Sequence, residues 1–135
     1  MAYWLVKSEP GAYGIDDLKR DKKTEWTGVR NYAARNFLRA MKKGDVVLFY
    51  HSGAEPGVVG FAAVSKTAYA DPTAAAGDWS AVELAFKSKY AKAVSLKEIK
   101  STKALSEIAL IKQSRLSVMP ITESEFATIE ALAKS

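Results

Sequence analysis

Runs of β-favouring, mostly apolar residues predict the strands of this chain. Residues 3–7 (YWLVK) and 46–50 (VVLFY) are short apolar runs typical of buried strands. Residues 57–69 alternate imperfectly and predict one long strand or two short ones. Residues 79–90 are again rich in apolar and aromatic positions and predict another strand. Residues 116–119 predict a short one, which brings the set to about five strands.

A helical spacing of apolar residues is clearest over residues 31–41. Ala34, Leu38 and Met41 fall at i, i+4 and i+7, with Phe37 beside them, so one face of this helix is apolar. A separate polar face repeats at i, i+4 and i+8 and consists of Asn31, Arg35 and Arg39. The segment is therefore predicted to pack one side against a core and to present the other to solvent or to a ligand.

Shorter helical pieces are predicted at residues 15–20, 95–100 and 104–108. The last helix begins at Thr122, because Glu125 stands three residues later and the pair forms a capping box. Residues 70–78 (ADPTAAAGD) are small and turn-prone, and we expect them to be weakly structured. Together the elements predict a single α+β domain over residues 1–135, a small curved sheet of about five or six strands with peripheral helices.

Composition narrows the possible functions. The 135 residues are 48% hydrophobic and 26% charged, which is ordinary for a soluble globule. The absence of cysteine excludes disulfides, thiol catalysis and thiolate zinc sites. No stretch has the apolar length of a signal peptide or a membrane span. We therefore expect a cytoplasmic protein that does not bind membranes, with the oligomeric state open and a monomer favoured.

Positive charge is concentrated in residues 26–45 (WTGVRNYAARNFLRAMKKGD). Between Glu25 and Asp45 the chain contains no acidic residue. The net charge of +5 by itself says little about binding partners, so this local concentration is the more informative feature. The cations of this stretch are Arg30, Arg35, Arg39, Lys42 and Lys43. A tryptophan, a glycine, an asparagine and a tyrosine stand at the start of the predicted helix. Cations beside such a cluster are suited to hold a phosphate backbone while a base is stacked and its edge is read.

Four segments, in this order and spacing, resemble the EVE domain family: YWLVKSEP, WTGVRNYAARNFLRAMKKGD, VLFYHSGAEPGVVG and RLSVMPIT. The resemblance extends from Tyr3 to Leu132. It implies a PUA-like pseudobarrel related to YTH domains, with a pocket for a modified base such as a modified cytosine or methylated adenine. One departure is that Tyr69-Ala70-Asp71-Pro72 continues to Trp79 in a few small residues, where family members commonly have a longer insert. This difference bears on the substrate range.

Candidate pocket residues lie at the ends of predicted strands and at the start of the main helix. Trp26 is predicted to stack on the base, alone or with Tyr32 or Tyr50 on its other face; alternatively it packs over the end of the barrel. Gly28 allows close backbone approach, and Val29 with Leu5 would form an apolar wall for the modified group. The base edge would be read by Ser8, Glu9, Asn31 and His51.

Each edge-reading residue also has a purely structural interpretation. Asn31 is equally suited to cap the helix, and a lone histidine such as His51 is more often a hydrogen-bonding partner in the fold than a catalyst. By the resemblance, Lys7 and Ser8 match the strand-end pair that YTH domains place at their pocket, although a salt-bridged strand end would look the same. The candidate phosphate contacts are Lys7, Arg30, Arg35, Arg39, Lys42 and Arg115, and for each the alternative is a solvated surface charge.

The sequence therefore favours a protein that binds a modified base in DNA or RNA and is not an enzyme. With one histidine and no cysteine there is no metal-ligand spacing, and there is no phosphate-binding glycine loop, so no cofactor is expected. A second possibility is a small nucleotide-acting hydrolase or transferase that uses His51 and Glu9. A third is a module for protein interaction.

Overall fold

Six strands and five α-helices make up the fold in the computed structural model, which describes residues 1–135. The strands are β1 (Tyr3–Ser8), β2 (Lys23–Trp26), β3 (Val46–His51), β4 (Gly57–Ala70), β5 (Ser80–Ser95) and β6 (Val118–Ile121). The helices are α1 (Ile15–Asp21), α2 (Tyr32–Ala40), α3 (Leu96–Ser101), α4 (Ala109–Lys112) and α5 (Glu123–Lys134), with a 3₁₀ turn at Lys103–Leu105. The predicted α+β fold is confirmed.

All six strands form one open sheet in the order β2-β5-β4-β3-β1-β6. Strands β1 and β3 run parallel and every other neighbouring pair is antiparallel. The long pair β4 and β5 shifts register several times, and such bulges bend and twist a sheet. Gly60 lies at one of these shifts, where a Cβ atom would collide with the carbonyl oxygen of Ser88. The sheet is therefore strongly curved rather than flat.

The core lies between the sheet and the helices that pack against it. Strand β3 contributes Leu48 and Phe49, both with no exposed surface, as its continuous apolar pattern predicts. Helix α2 buries Ala34 and Leu38 on the face predicted from the sequence. Helix α5 is capped by Thr122 with Glu125 in the expected capping box. None of the helices is both long and apolar enough to cross a membrane, and a cytoplasmic location stays a prediction.

Four elements differ from the sequence-based expectation, and the simplest case is β6, which lies two residues later than predicted, at Val118–Ile121. Strand β2 was not predicted, because it is a four-residue edge strand whose exposed Lys23 and Glu25 alternate with half-buried residues. Strand β5 continues past residue 90 to Ser95, where it pairs with the beginning of β4 at Gly57. The helical piece expected at residues 104–108 overlaps only the 3₁₀ turn at Lys103–Leu105, and α4 begins at Ala109. Short or edge elements bury too few side chains to show a clear period.

A buried carboxylate fixes the turn between α2 and β3. Asp45 is 3% exposed and accepts hydrogen bonds from the indole Nε1 of Trp4 (3.0 Å), the Lys42 amide (2.9 Å) and the Ala2 amide (3.1 Å). Burial alone would raise the pKa of Asp45, but the three donors outweigh it and lower the pKa. The acidic residue that ends the basic stretch thus joins β1 to the α2–β3 turn.

Candidate functional site

A cavity of about 390 Å³ opens between the two ends of the sheet order. Strands β2 and β1 are four places apart in that order, yet residues from both line the same cavity, so the sheet curls round to bring them together. The volume is in the range, roughly 300–1,000 Å³, of small-molecule pockets. Its lining residues are Lys7, Ser8, Tyr13, Thr24, Glu25, Trp26, Thr27, Gly28, Val29, Arg30 and Ser117.

Trp26 is the large aromatic side chain of this cavity that comes from β2. The indole is half-buried and meets the buried ring of Phe49 edge to face, with ring centroids 5.5 Å apart and planes at 84°. In that geometry Phe49 covers at most one face of the indole, and Trp26 also lines the cavity. Packing against the core and stacking on a base, posed as alternatives from the sequence, are therefore compatible at this position.

The loop from β2 to α2 is held from outside by Asp71. The side chain of Asp71 is 0% exposed. Its Oδ2 accepts from the Gly28 amide at 2.8 Å and from Arg30 Nη1 at 2.9 Å. Its Oδ1 accepts from the amide and hydroxyl of Thr73 at 2.8 and 2.7 Å. Gly28 has φ +81°, a conformation that L side chains rarely adopt, which lets the loop turn its amide toward the carboxylate.

This cluster of donors keeps Asp71 ionised. Burial by itself would raise the pKa of Asp71, but hydrogen bonds from Thr73, Arg30 and the Gly28 amide outweigh it and hold the pKa far below its usual range. The carboxylate also neutralises part of the charge of Arg30, which lies at the cavity wall. Asp71 therefore positions both Gly28 and Arg30 without lining the cavity itself.

Ser8 and Lys7 form the opposite wall at the end of β1. The hydroxyl of Ser8 donates to the carbonyl of Tyr13 at 2.7 Å, so its lone pairs stay available to accept from a ligand. Lys7 Nζ donates to the carbonyl of Ser114 at 2.8 Å and lies 5.8 Å from the centre of the Tyr50 ring. Burial lowers the pKa of Lys7. This wall thus offers one acceptor and one cation.

Glu25 is another residue that lines the cavity. One of its oxygens accepts from the hydroxyl of Tyr69 at 3.0 Å. Burial, together with this hydrogen bond and the nearby charge, raises the pKa of Tyr69 to about 12, so the hydroxyl stays a donor. The carboxylate retains free lone pairs that can accept from an amino group. The sequence assigned this chemistry to Glu9, which is exposed and does not line the cavity.

Three other predicted base-contacting residues lie in the fold around the cavity rather than in its wall. Asn31 caps α2, with its side-chain oxygen accepting from the Ala34 amide at 2.9 Å. Tyr50 is 4% exposed and belongs to the core. His51 accepts from the Ile15 amide through Nε2 at 3.0 Å, and burial lowers the pKa of His51, which favours the neutral imidazole that this bond requires. No group of three or more histidine, aspartate and glutamate side chains could hold a metal ion.

Leu5 and Tyr32 mark the two extremes of exposure among the predicted residues. Leu5 is completely buried and is separated from the cavity by the residues that line it. Tyr32 is 67% exposed and stacks on Trp79, outside the cavity. Of the predicted base-pocket residues, the structure gathers Ser8, Trp26, Gly28 and Val29 in the cavity wall, together with Lys7 and Arg30, which were predicted to contact phosphate.

The basic face of α2 carries its own counter-ion. Arg39 Nη2 lies 2.6 Å from Asp78 Oδ1, and its Nε donates to the hydroxyl of Ser80 at 2.9 Å. Arg35 donates to the carbonyl of Asp78 at 3.1 Å and lies 3.9 Å from its carboxylate. The acid-free stretch of sequence is thus partly neutralised in space by residues 70–78. A phosphate role for Arg35 and Arg39 stays a prediction.

A second, more open cleft adjoins the same side of the molecule. It contains the predicted Arg115 together with Asn31, Lys112 and the chain around Ser114, whose carbonyl also binds Lys7 of the first cavity. Lys112 pairs with Glu107 at 2.9 Å, whereas no carboxylate lies within ion-pair distance of Arg115. The exposed Lys42 lies at the other end of α2. The cations nearest the cavity are therefore Lys7 and Arg30, followed by those of this cleft.

Sequence reasoning missed several residues of the site. Tyr13, Thr24, Glu25, Thr27 and Ser117 line the cavity, and Asp71 fixes its loop. A signal existed for two of them: Thr24 and Glu25 directly precede Trp26, so a prediction of β2 would have included them. No local signal could reveal Asp71, because its partners Gly28 and Arg30 lie more than forty positions away in the chain.

Comparison with known proteins gives consistent relatives. Residues 2–132 match the family model described as EVE domain. Thymocyte nuclear protein 1 of Mus musculus is 38% identical over 167 residues, which covers 98% of this chain and 74% of the mouse protein. That span exceeds the length of this chain, so the mouse protein contains residues within the matched region that this chain lacks.

Two solved structures resemble this one over nearly their whole length. A hypothetical protein from Leishmania major has a TM-score of 0.94 at 44% identity, with 99% of this chain and 95% of that chain covered. Human THYN1 protein, in complex with DNA containing 5-methylcytosine, has a TM-score of 0.92 at 35% identity, with 100% of this chain and 99% of that chain covered.

Proposed function

The chain belongs to the EVE domain family, and from that premise we propose that it binds DNA containing a modified cytosine, holds the modified base in the cavity beside Trp26 and does not alter it chemically. The observation that carries the proposal is the cavity itself, which combines an aromatic plate, a hydroxyl, a carboxylate and two cations. The solved structure of human THYN1 protein with DNA containing 5-methylcytosine supports DNA as the polymer and cytosine as the base.

The polar groups of the cavity match the edge of cytosine. Cytosine presents an amino group at N4, which needs acceptors, beside N3 and O2, which need donors. Ser8 and Glu25 offer acceptors, and Lys7 offers a donor. Val29 is 7% exposed and supplies an apolar side chain to the wall, which suits a methyl group at the neighbouring ring position. Trp26 would stack on the ring, an interaction that contributes roughly 1–3 kcal/mol.

The surroundings of the cavity suit a strand of nucleic acid. Arg30 and Lys7 lie at its wall, and the adjoining cleft adds Lys112 and Arg115. Phosphate contacts of this kind fix the register of a strand while the cavity reads one base. A cation on each side of the bound nucleotide would allow the backbone to pass across the mouth of the cavity.

The same geometry argues against the hydrolase or transferase alternative. That reaction would need His51 and Glu9 near the bound base. The Nε2 atom of His51 instead accepts a backbone hydrogen bond, and neither residue lines the cavity. The groups that do line it include no serine or threonine within hydrogen-bond distance of an imidazole. Binding without turnover is the function that this arrangement supports best.

The proposal is tested with oligonucleotides that differ at one base. The parent protein should bind DNA with a central 5-methylcytosine more tightly than the same DNA with cytosine, and the RNA counterparts should bind more weakly. Equal affinity for methylated and unmethylated DNA would overturn the proposal. Higher affinity for the RNA counterparts would mean that the natural ligand is RNA rather than DNA. After prolonged incubation with the protein, the mass of the methylated oligonucleotide, measured by mass spectrometry, should be unchanged.

Variants of Trp26 test the stacking role. Trp26→Leu keeps an apolar side chain against Phe49 but removes the flat face, so it separates stacking from packing. We expect Trp26→Leu and Trp26→Ala to weaken binding of methylated DNA about tenfold or more, with Leu melting closer to the parent than Ala. A folded Trp26→Leu protein that binds with parental affinity would exclude the stacking role.

A further inference from the structure

Tyr32 is an exposed aromatic residue whose position the cavity does not explain. Its side chain is 67% exposed, and besides Met1 it is the one large hydrophobic residue exposed to solvent. It stands at the start of α2, directly after the Asn31 cap. A single exposed aromatic ring is ordinary on a protein surface, so the case for a contact depends on what surrounds this one.

The ring of Tyr32 is fixed in position by its neighbours. It stacks on Trp79 with centroids 5.1 Å apart and planes at 19°. The guanidinium of Arg35 lies 5.0 Å from the Tyr32 ring and 6.0 Å from the Trp79 ring. If Arg35 lay directly over the outer face of Tyr32, opposite Trp79, its distance to the Trp79 ring would approach the sum of its 5.0 Å distance to Tyr32 and the 5.1 Å between the two rings. Arg35 therefore lies beside the stacked pair, and the outer face of Tyr32 is uncovered.

The stacked pair adjoins the cavity through Arg30. The guanidinium of Arg30 lies 5.6 Å from the centre of the Trp79 ring, and the same side chain lines the cavity. Because Asp71 binds Arg30 at 2.9 Å, this connection is rigid. A strand that leaves the cavity past Arg30 would therefore meet the stacked pair of Trp79 and Tyr32 next.

We propose that Tyr32 stacks on a base next to the one bound in the cavity, so that the protein engages two bases of the strand through two separate aromatic plates. The inference rests on the proposed function. The cations Arg30 and Arg35 beside the pair suit a phosphate-bearing partner. The ring has no apolar patch around it that could form the core of a protein interface, because no other large hydrophobic side chain except Met1 is exposed.

The test combines a protein variant with an altered DNA. Binding of Tyr32→Ala and of the parent is compared on intact methylated DNA and on two altered oligonucleotides. One has an abasic residue directly 5′ of the modified base, and the other has it directly 3′ of the modified base. Tyr32→Ala should weaken binding of the intact DNA about five- to tenfold, the lower part of the range for base stacking. On one of the two abasic DNAs the variant and the parent should bind alike, because the stacked base is already absent.

Two further measurements distinguish this role from a role in the cavity. The ratio of affinities for methylated and unmethylated DNA should be the same for Tyr32→Ala and the parent, because the cavity is untouched. Tyr32→Phe, which keeps the ring, should retain most of the affinity that Tyr32→Ala loses. The inference is wrong if Tyr32→Ala binds every DNA as tightly as the parent does. It is also wrong if the variant binds both abasic DNAs more weakly than the parent by the same factor. A protein partner would then explain the exposed ring. A parent without methyl discrimination would instead overturn the proposed function.

Discussion

Residues 70–78 make two arginine–aspartate contacts of very different character. At one end Asp71 is 0% exposed and receives four hydrogen bonds, one of them from Arg30. At the other end Asp78 is 80% exposed and pairs with Arg39 and, at longer distance, with Arg35. A buried carboxylate with full hydrogen bonding fixes local structure, whereas an exposed pair is screened by water and contributes little.

Because Asp71 is buried and Asp78 is exposed, the two ends of residues 70–78 have different roles. Asp71 holds the Gly28–Arg30 loop against the cavity, so it is a positioning residue for the site. Asp78 instead covers part of the basic face of α2 and can be displaced without disturbing the core. The stacked pair of Tyr32 and Trp79 lies between these two contacts, close to both Arg30 and Arg35. The following predictions test this contrast, from the largest expected effect to the smallest.

Removing the buried carboxylate should have the largest effect. Asp71→Ala leaves the Gly28 amide, the Thr73 groups and Arg30 without their acceptor, and we expect a loss of about 2–4 kcal/mol in the free energy of unfolding. Methylated DNA should also bind more weakly, because the loop of the cavity loses its anchor. Chemical denaturation and binding assays measure both effects. Asp78→Ala is the matched control, and equal stability of the two variants would refute the contrast.

The ionised carboxylate of Asp71 should also make the free energy of unfolding depend on pH in the acid range, with a smaller effect. The folded-state pKa of Asp71 lies below its unfolded value, so its contribution is complete above the unfolded value and is lost as pH falls through the folded pKa. The free energy of unfolding of Asp71→Asn should therefore fall less steeply than that of the parent below about pH 4. Parallel pH profiles for Asp71→Asn and the parent would mean that Asp71 is not strongly stabilised in its ionised form.

These two contacts also explain how far the sequence could predict the site. Apolar runs such as that of β3 and the spacing of Ala34 and Leu38 in α2 depend on local burial, which a sequence displays directly. The stretch around Trp26 and Gly28 was recognisable because its residue types are unusual together. The clamp by Asp71 was not predictable, because a bond between residues more than forty positions apart depends on the curvature of the whole sheet.

The same reasoning explains why the sequence analysis overlooked two carboxylates that lie near the acid-free stretch in the fold. Counting charges along residues 26–45 left out Asp78, which the fold brings to 2.6 Å from Arg39. Likewise, strand β2 places Glu25 in the cavity, whereas the sequence favoured Glu9 at the end of β1. The position of Glu25 depends on a strand that the hydrophobic pattern did not show, and that of Asp78 depends on the path of the chain between β4 and β5.

Removing the exposed carboxylate should strengthen DNA binding if Arg35 and Arg39 contact phosphate. Asp78→Ala removes the carboxylate beside both guanidinium groups while their hydrogen bonds to the backbone carbonyl of residue 78 remain, so we expect affinity to rise by a factor of about two to five. The plot of log affinity against log salt should become steeper, because more counterions are released on binding. Arg35→Glu with Arg39→Glu should do the opposite for methylated and unmethylated DNA alike. An unchanged salt slope in both variants would mean that this face is only solvated.

The smallest expected effect is the contribution of the exposed pair to stability. The contact of Arg39 with Asp78 is short, at 2.6 Å, but the carboxylate is 80% exposed. Because water and salt screen such a pair, its coupling free energy should be below about 1 kcal/mol and should shrink further at high salt. A double-mutant cycle with Arg39→Ala and Asp78→Ala, measured by chemical denaturation at low and high salt, isolates this value. Arg39 also donates to Ser80, so Arg39→Ala alone should cost more than Asp78→Ala. A coupling as large as the loss in Asp71→Ala would show that the two contacts are energetically equivalent despite their different burial.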